Sequence, residues 1–192
     1  MTARLLVLFV HVISAALLVG GSMLALPAVV AAARRVPTVQ ELRTCFAIAR
    51  PLGPVAQWAG LVLLASGIYL ASAGHYWSFP WVQAAAALWV VNAMLAARVH
   101  KPAVGRLAAA AFAAPDGPVD ARLDALRRSG RWTLGANVLL ANNAAILFQM
   151  TVKPGLAGAV LAVVVAHAAV LLGQLLAGAR KAASQPVVIA DA

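Results

Sequence analysis

The chain has 192 residues, of which 64% are hydrophobic and only 10% charged, with a mean hydropathy of +0.91 and a net charge of +10. Soluble domains carry about 25% charged and 45 to 50% apolar residues, so a water-soluble globular domain is excluded and the excess apolar surface must face lipid. Nor does the positive charge point to nucleic acid: Lys and Arg sit at the ends of apolar segments and in connecting loops, where they orient the chain and meet the anionic headgroups of a lipid bilayer.

The first apolar segment, Leu5 to Ala33, has no formal charge and contains His11, Gly20-Gly21 and Pro27 before the basic stop Arg34-Arg35. It exceeds the roughly 20 residues that cross the hydrocarbon core, and a cleaved leader would have a hydrophobic region of only about 7 to 15. It is therefore read as a span. Thr38 and Glu41 then stand three apart as a capping box, with Val39, Leu42, Phe46 and Ala49 on one face, so an amphipathic helix lying in the membrane interface is expected before Pro51.

A second span is predicted over 52–73, where Gly60 and Gly67 allow close helix approach. The uncharged connection from Gly74 to Trp81 carries Tyr76, Trp77 and Trp81 as an interfacial aromatic belt. A third span, 82–98, holds Asn92 and leaves the membrane near His100, Lys101 and Pro102. The basic region up to Arg131 contains two short amphipathic patterns, Val104/Leu107/Ala111 and Val119/Leu123/Leu126. Asp116 and Asp120 favour a helix start, Asp124 can pair with Arg127 or Arg128, and Gly130 suits a stop.

The fourth span, 132–152, carries Asn137, Asn142, Asn143 and Gln149. Lys153-Pro154-Gly155 then turns the chain into a fifth, 156–178, with His167 and Gln174, so these two helices are expected to be antiparallel neighbours. A short polar tail, 181–192, follows.

The fold class expected is thus all-α, a polytopic transmembrane helical bundle of five spans forming one domain over residues 1–180. With five spans, all of the 15 Lys and Arg except Arg4 and Lys153 fall on one side. By the positive-inside rule the N-terminus is outside and the C-terminus cytoplasmic, as for a multi-pass protein of the plasma membrane.

His11 and His167 are the ionisable groups inside the spans, and such groups face the bundle interior because lipid cannot solvate them. An imidazole in a dry helical bundle is a natural haem or metal ligand; a packing histidine bonded to a backbone carbonyl is the alternative. With the first helix starting at Leu5, His11 lies about 9 Å and His167 about 17 Å from the outer edge. A start at Thr2 brings the two within about 4 Å in depth.

Asn92, Asn137, Asn142, Asn143 and Gln149 are expected to bridge helices or line a polar cofactor pocket, and Asn142 and Gln149 share a helix face. Copper is disfavoured, because Met23, Met94 and Met150 form no Met-x-x-Met or Met-His cluster. One cysteine, Cys45, excludes an internal disulfide and a CxxC knuckle. All five acidic residues lie in cytoplasmic segments, so no nucleophile with its acid and base can be assembled in the spans for hydrolysis or acyl transfer. There is also no Gly-rich phosphate loop after a strand.

The stretch from His11 through LLVGG to Gly21 resembles the opening helix of small bacterial membrane proteins related to CopD-type copper-resistance proteins and the HemJ type of protoporphyrinogen oxidase. More closely, the chain resembles an uncharacterised bacterial family of predicted integral membrane proteins. The shared elements are the first-helix His and glycine, a basic loop, Pro80-Trp81 opening the third span, Arg131-Trp132 opening the fourth, and Met150-Thr151-Val152-Lys153-Pro154 closing it. The HemJ resemblance implies haem binding at His11. Leu18-Val19 replaces the tryptophan before the glycine, and Asn92 stands in a span where HemJ has a lysine, so porphyrinogen oxidation is not implied.

Two functions follow from different classes. One is a haem b- or metal-binding membrane protein in electron transfer or metal handling, with His11 and His167 as ligands. The other is a non-catalytic accessory subunit that packs against a larger membrane complex or against further copies of itself.

Overall fold

The computed structural model describes residues 2–183, and every regular element among them is helical. The polar tail beyond residue 183 lies outside the described residues, as do the side chains of Met23, Arg131, Trp132, Arg180 and Lys181. In chain order the elements are α1 (Ala3–Gly20), α2 (Leu26–Ala33), α3 (Val39–Ala49), α4 (Leu52–Ala73), α5 (Pro80–Leu95), α6 (Lys101–Ala113), α7 (Ala121–Arg127), α8 (Gly130–Val152) and α9 (Leu156–Ala183).

Four stretches among the described residues are long and apolar enough to cross a membrane: Ala3–Gly20, Val39–Ala73, Pro80–Ala113 and Leu156–Leu176. α8 is not one of these. Its amides lower its hydropathy, yet it lies between α5 and α9 and packs on both. α1 packs chiefly on α4, so the long helices fall into a pair and a trio.

α1 runs into α2 through a π-turn at Gly21–Ala25, and α5 runs into α6 through another at Ala96–His100. Each turn ends two residues before a proline, Pro27 and Pro102. The physical cause is common to both. Proline lacks the N–H that would bond four residues back, and its ring crowds that carbonyl; widening the preceding turn removes the conflict without ending the helix. The third apolar segment therefore does not stop near Arg98, and helix continues from Pro80 to Ala113. Both π-turns pack against α8.

At the arginine-rich end α3, α6 and α7 form a cap. Thr38 starts α3 with the expected capping box: the Glu41 amide donates to Thr38 Oγ1 at 3.3 Å and the Thr38 amide to Glu41 Oε2 at 3.4 Å. The apolar face of α3 does not meet lipid headgroups as expected. Leu42 and Phe46 bury themselves with Ala33, Leu107, Ala111 and Leu123 in one apolar core, so the amphipathic segments cover one another. A single antiparallel bridge pins Thr38 to Pro118, with Val39 N donating to Gly117 O at 2.9 Å and Val119 N to Pro37 O at 2.9 Å.

Polar contacts lock the cap's edges. Arg43 donates to the Ala111 carbonyl at 2.9 Å, to the Ala114 carbonyl and to Asp116 at 2.6 Å. Asp116 is thus an ion-pair partner rather than a helix start. Asp120 caps α7 by accepting from Leu123 N at 2.7 Å. α7 ends at Arg127, and Gly130 opens α8 instead of closing α7.

At the opposite end the aromatic connection gathers Tyr76, Phe79 and Trp81 into mutual contact, with ring centroids 6.0 to 6.5 Å apart. Gly74 permits this, since a Cβ there would collide with the Tyr76 ring. Arg4 donates to Tyr76 Oη at 2.9 Å, and Lys153 Nζ lies 5.7 Å from the Trp81 centroid. The two cations that the sequence separates from the rest therefore occupy the same end of the bundle.

Candidate functional site

His11 sits on the face of α1 that packs against α4. Its Nδ1 lies 3.1 Å from the Leu63 carbonyl and 3.0 Å from Ser66 Oγ. The Ser66 hydroxyl is itself committed as a donor, to Val62 O at 2.6 Å and Leu63 O at 3.1 Å, so it faces the imidazole as an acceptor. Two acceptors at one ring nitrogen require that nitrogen to carry the proton. Nδ1 is the N–H, and Nε2 keeps the lone pair.

Gly67 makes the approach feasible, since a Cβ at that position would stand 3.1 Å from His11 Cε1. The buried Ser66 is the site residue that sequence reasoning missed, whereas the adjacent Gly67 allows the close helix approach expected of it. The available signal was a hydroxyl next to a glycine, inside an otherwise apolar span.

His167 Nδ1 donates to the Val163 carbonyl of its own helix at 2.8 Å. α1 begins at Ala3, which leaves the two histidines about 5 Å apart in depth by the helical rise. α9, however, packs on α8 and α5 rather than with the α1–α4 pair. The two imidazoles belong to different helix groups.

The amides divide between two helix contacts. Asn92 Nδ2 donates to Asn143 Oδ1 at 2.9 Å, and Asn142 Nδ2 donates to Asn92 Oδ1 at 2.8 Å, clasping α5 to α8. Gln149, fully buried, donates to the Ala159 carbonyl at 2.9 Å and ties α8 to α9. Asn142 and Gln149 do share the buried side of α8, each toward a different neighbour. Asn137 stands apart, lining a cleft with Pro27, Val30, Ala31, Arg34, Ala136 and Leu140.

Cys45 lies half-buried against the cap core. Burial, and then the Glu41 carboxylate, raise the pKa of its thiol. This disfavours the thiolate that a nucleophile or metal ligand needs. Among the described residues no three His, Cys, Asp or Glu side chains converge to hold a metal ion.

Neither a curated protein nor a solved structure matches the chain. A family model, described as "Predicted integral membrane protein (DUF2269)", matches residues 5–154, from the start of the first apolar segment through the close of α8. The chain belongs to this family of predicted integral membrane proteins.

Proposed function

We propose that the chain is a five-span protein of the bacterial inner membrane, N-terminus outside and C-terminus cytoplasmic, in which His11 ligates haem b through Nε2 in the service of electron transfer. The carrying observation is the pair of acceptors, Leu63 O and Ser66 Oγ, at Nδ1. Metal-ligating histidines have this form: the second ring nitrogen donates to a carbonyl or other acceptor, which fixes the tautomer and strengthens the ligating nitrogen. The resemblance of the opening helix to the HemJ type supports the same residue.

Held in this way, His11 would offer Nε2 to the iron of a bound haem. Ser66 and Leu63 fix the imidazole, and Gly67 gives it room. A bound haem supplies one-electron redox chemistry. His167 has the same free nitrogen, but its bond within its own helix and its place in the other helix group favour a packing role, so the reading rests on His11.

The five-span reading is supported by α8, whose 23 residues are about 35 Å long and lie between two apolar helices. Its low hydropathy reflects amides spent on those neighbours.

The test is the visible spectrum of the full chain, expressed with ample haem and purified in mild detergent. A Soret band is expected in the wild type and in His167→Ala, and it disappears in His11→Ala. In Ser66→Ala the band shifts, because the imidazole loses an acceptor. A colourless wild type overturns the haem reading in favour of an accessory subunit.

A further inference from the structure

The cleft between α2 and α8 is not used by the His11 site. Its volume is about 180 Å³. Its walls are largely apolar: Pro27 and Val30 from α2, Leu140 from α8. Arg34 stands at its basic rim and Asn137 on its α8 side. The Asn137 Nδ2 is a buried donor with no hydrogen-bond partner among the described residues, on a side chain that lines the cleft.

Positive charge is crowded here. Arg34 Nε reaches the Arg127 carbonyl at 3.5 Å, while Asp124 pairs with both Arg127 and Arg128. Burial, and then the Arg128 charge, lower the Arg34 pKa. An arginine nevertheless stays protonated, so a bound anion relieves the crowding where loss of a proton does not.

We propose that this cleft seats one anionic phospholipid, its phosphate against Arg34 and Asn137 and its first methylenes along Pro27, Val30 and Leu140. Basic pockets between membrane helices recognise lipids of this class. A free phosphate would gain nothing from the apolar wall, whereas a lipid uses both parts. The volume, roughly that of six waters, takes the glycerophosphate and the start of one chain and leaves the rest in the bilayer. The proposal rests on the span reading above, since the bilayer must reach Arg34, and it does not depend on the haem.

The full chain is purified, exchanged into phosphatidylcholine nanodiscs with a minor fraction of phosphatidylglycerol, and analysed by native mass spectrometry for retained phosphatidylglycerol. The wild type is expected to retain one molecule. Arg34→Gln weakens retention about tenfold, the loss of one charge-assisted contact. Ala31→Phe fills the cleft, leaves every charge in place and gives a similar loss. Arg35→Gln, which removes a neighbouring exposed charge, retains the lipid as the wild type does, and excess inorganic phosphate does not displace it. Full retention in both cleft variants overturns the site. An equal loss in Arg35→Gln replaces it with diffuse attraction, and displacement by phosphate replaces it with a simple anion site. Failure of the span reading registers separately, in topology reporters.

Discussion

Asn92 concentrates at one residue what the bundle interior demands. Its amide gives one hydrogen bond to Asn143 and takes one from Asn142, so a single side chain satisfies groups on two successive positions of α8. Interhelical hydrogen bonds in membranes contribute only about 0.6 kcal/mol each, whereas stranding a buried donor or acceptor costs about 1 to 3 kcal/mol. Asn92→Leu is therefore expected to destabilise by about 1 to 3 kcal/mol, measured by thermal unfolding in micelles. Replacing Asn92 and Asn142 together with Leu should cost less than the sum of the two single changes, because the bond between them is lost only once. A double variant whose cost equals that sum would refute the clasp. The periodicity of α8 placed Asn142 and Gln149 on an inward face but carried no information on partners. Likewise His11 was legible as a buried imidazole, while the acceptors that fix its tautomer lie 52 and 55 residues away.

At the scale of elements, α7 acts as a latch. Arg127 is buried, with Nη1 donating to Ala33 O at 3.1 Å and Val36 O at 2.6 Å, which places a cation at the carbonyl end of α2. Asp124 holds Arg127 from the other side at 2.7 Å and takes Arg128 at 2.8 Å. Hydrogen bonds from Arg128, then from Arg127, lower the Asp124 pKa below its ordinary 3.8. A depressed carboxyl contributes stability that is fully present above the unfolded value and is lost as pH falls through the folded one. Amide protection across Leu123 to Arg128, corrected for intrinsic exchange, should hold steady above that value and fall below it. Asp124→Asn should start low and lose this dependence, and an unchanged profile in Asp124→Asn would contradict the latch.

The capping box and the limits of α4 could be read directly from sequence, since both depend on residues close together in the chain. The cap could not. Amphipathicity shows that Leu42, Phe46, Leu107 and Leu123 need cover without naming it, and lipid headgroups and a neighbouring helix satisfy the same pattern. Pro102 misled in another way: a proline normally marks an ending, and a π-turn just before it let the helix continue, as another does before Pro27 inside the first span, which was read through.

For the whole molecule, the segregation of charge and the arrangement of helices agree. Arg4 and Lys153 both engage the aromatic connection, and the buried arginine network lies at the other end. The orientation of the chain, the side on which the cap stands and the reach of the bilayer to Arg34 all depend on α8 crossing the membrane. That crossing is the central claim, and hydropathy alone does not carry it, since the described residues offer only four apolar stretches long enough. The direct measurement places topology reporters on either side of α8, at Asp116 in the cap and after Pro154, with further reporters at Arg50 and Ala73. The account predicts a cytoplasmic signal at Arg50 and Asp116 and an external one at Ala73 and Pro154. A cytoplasmic signal after Pro154, on the same side as Asp116, would contradict it.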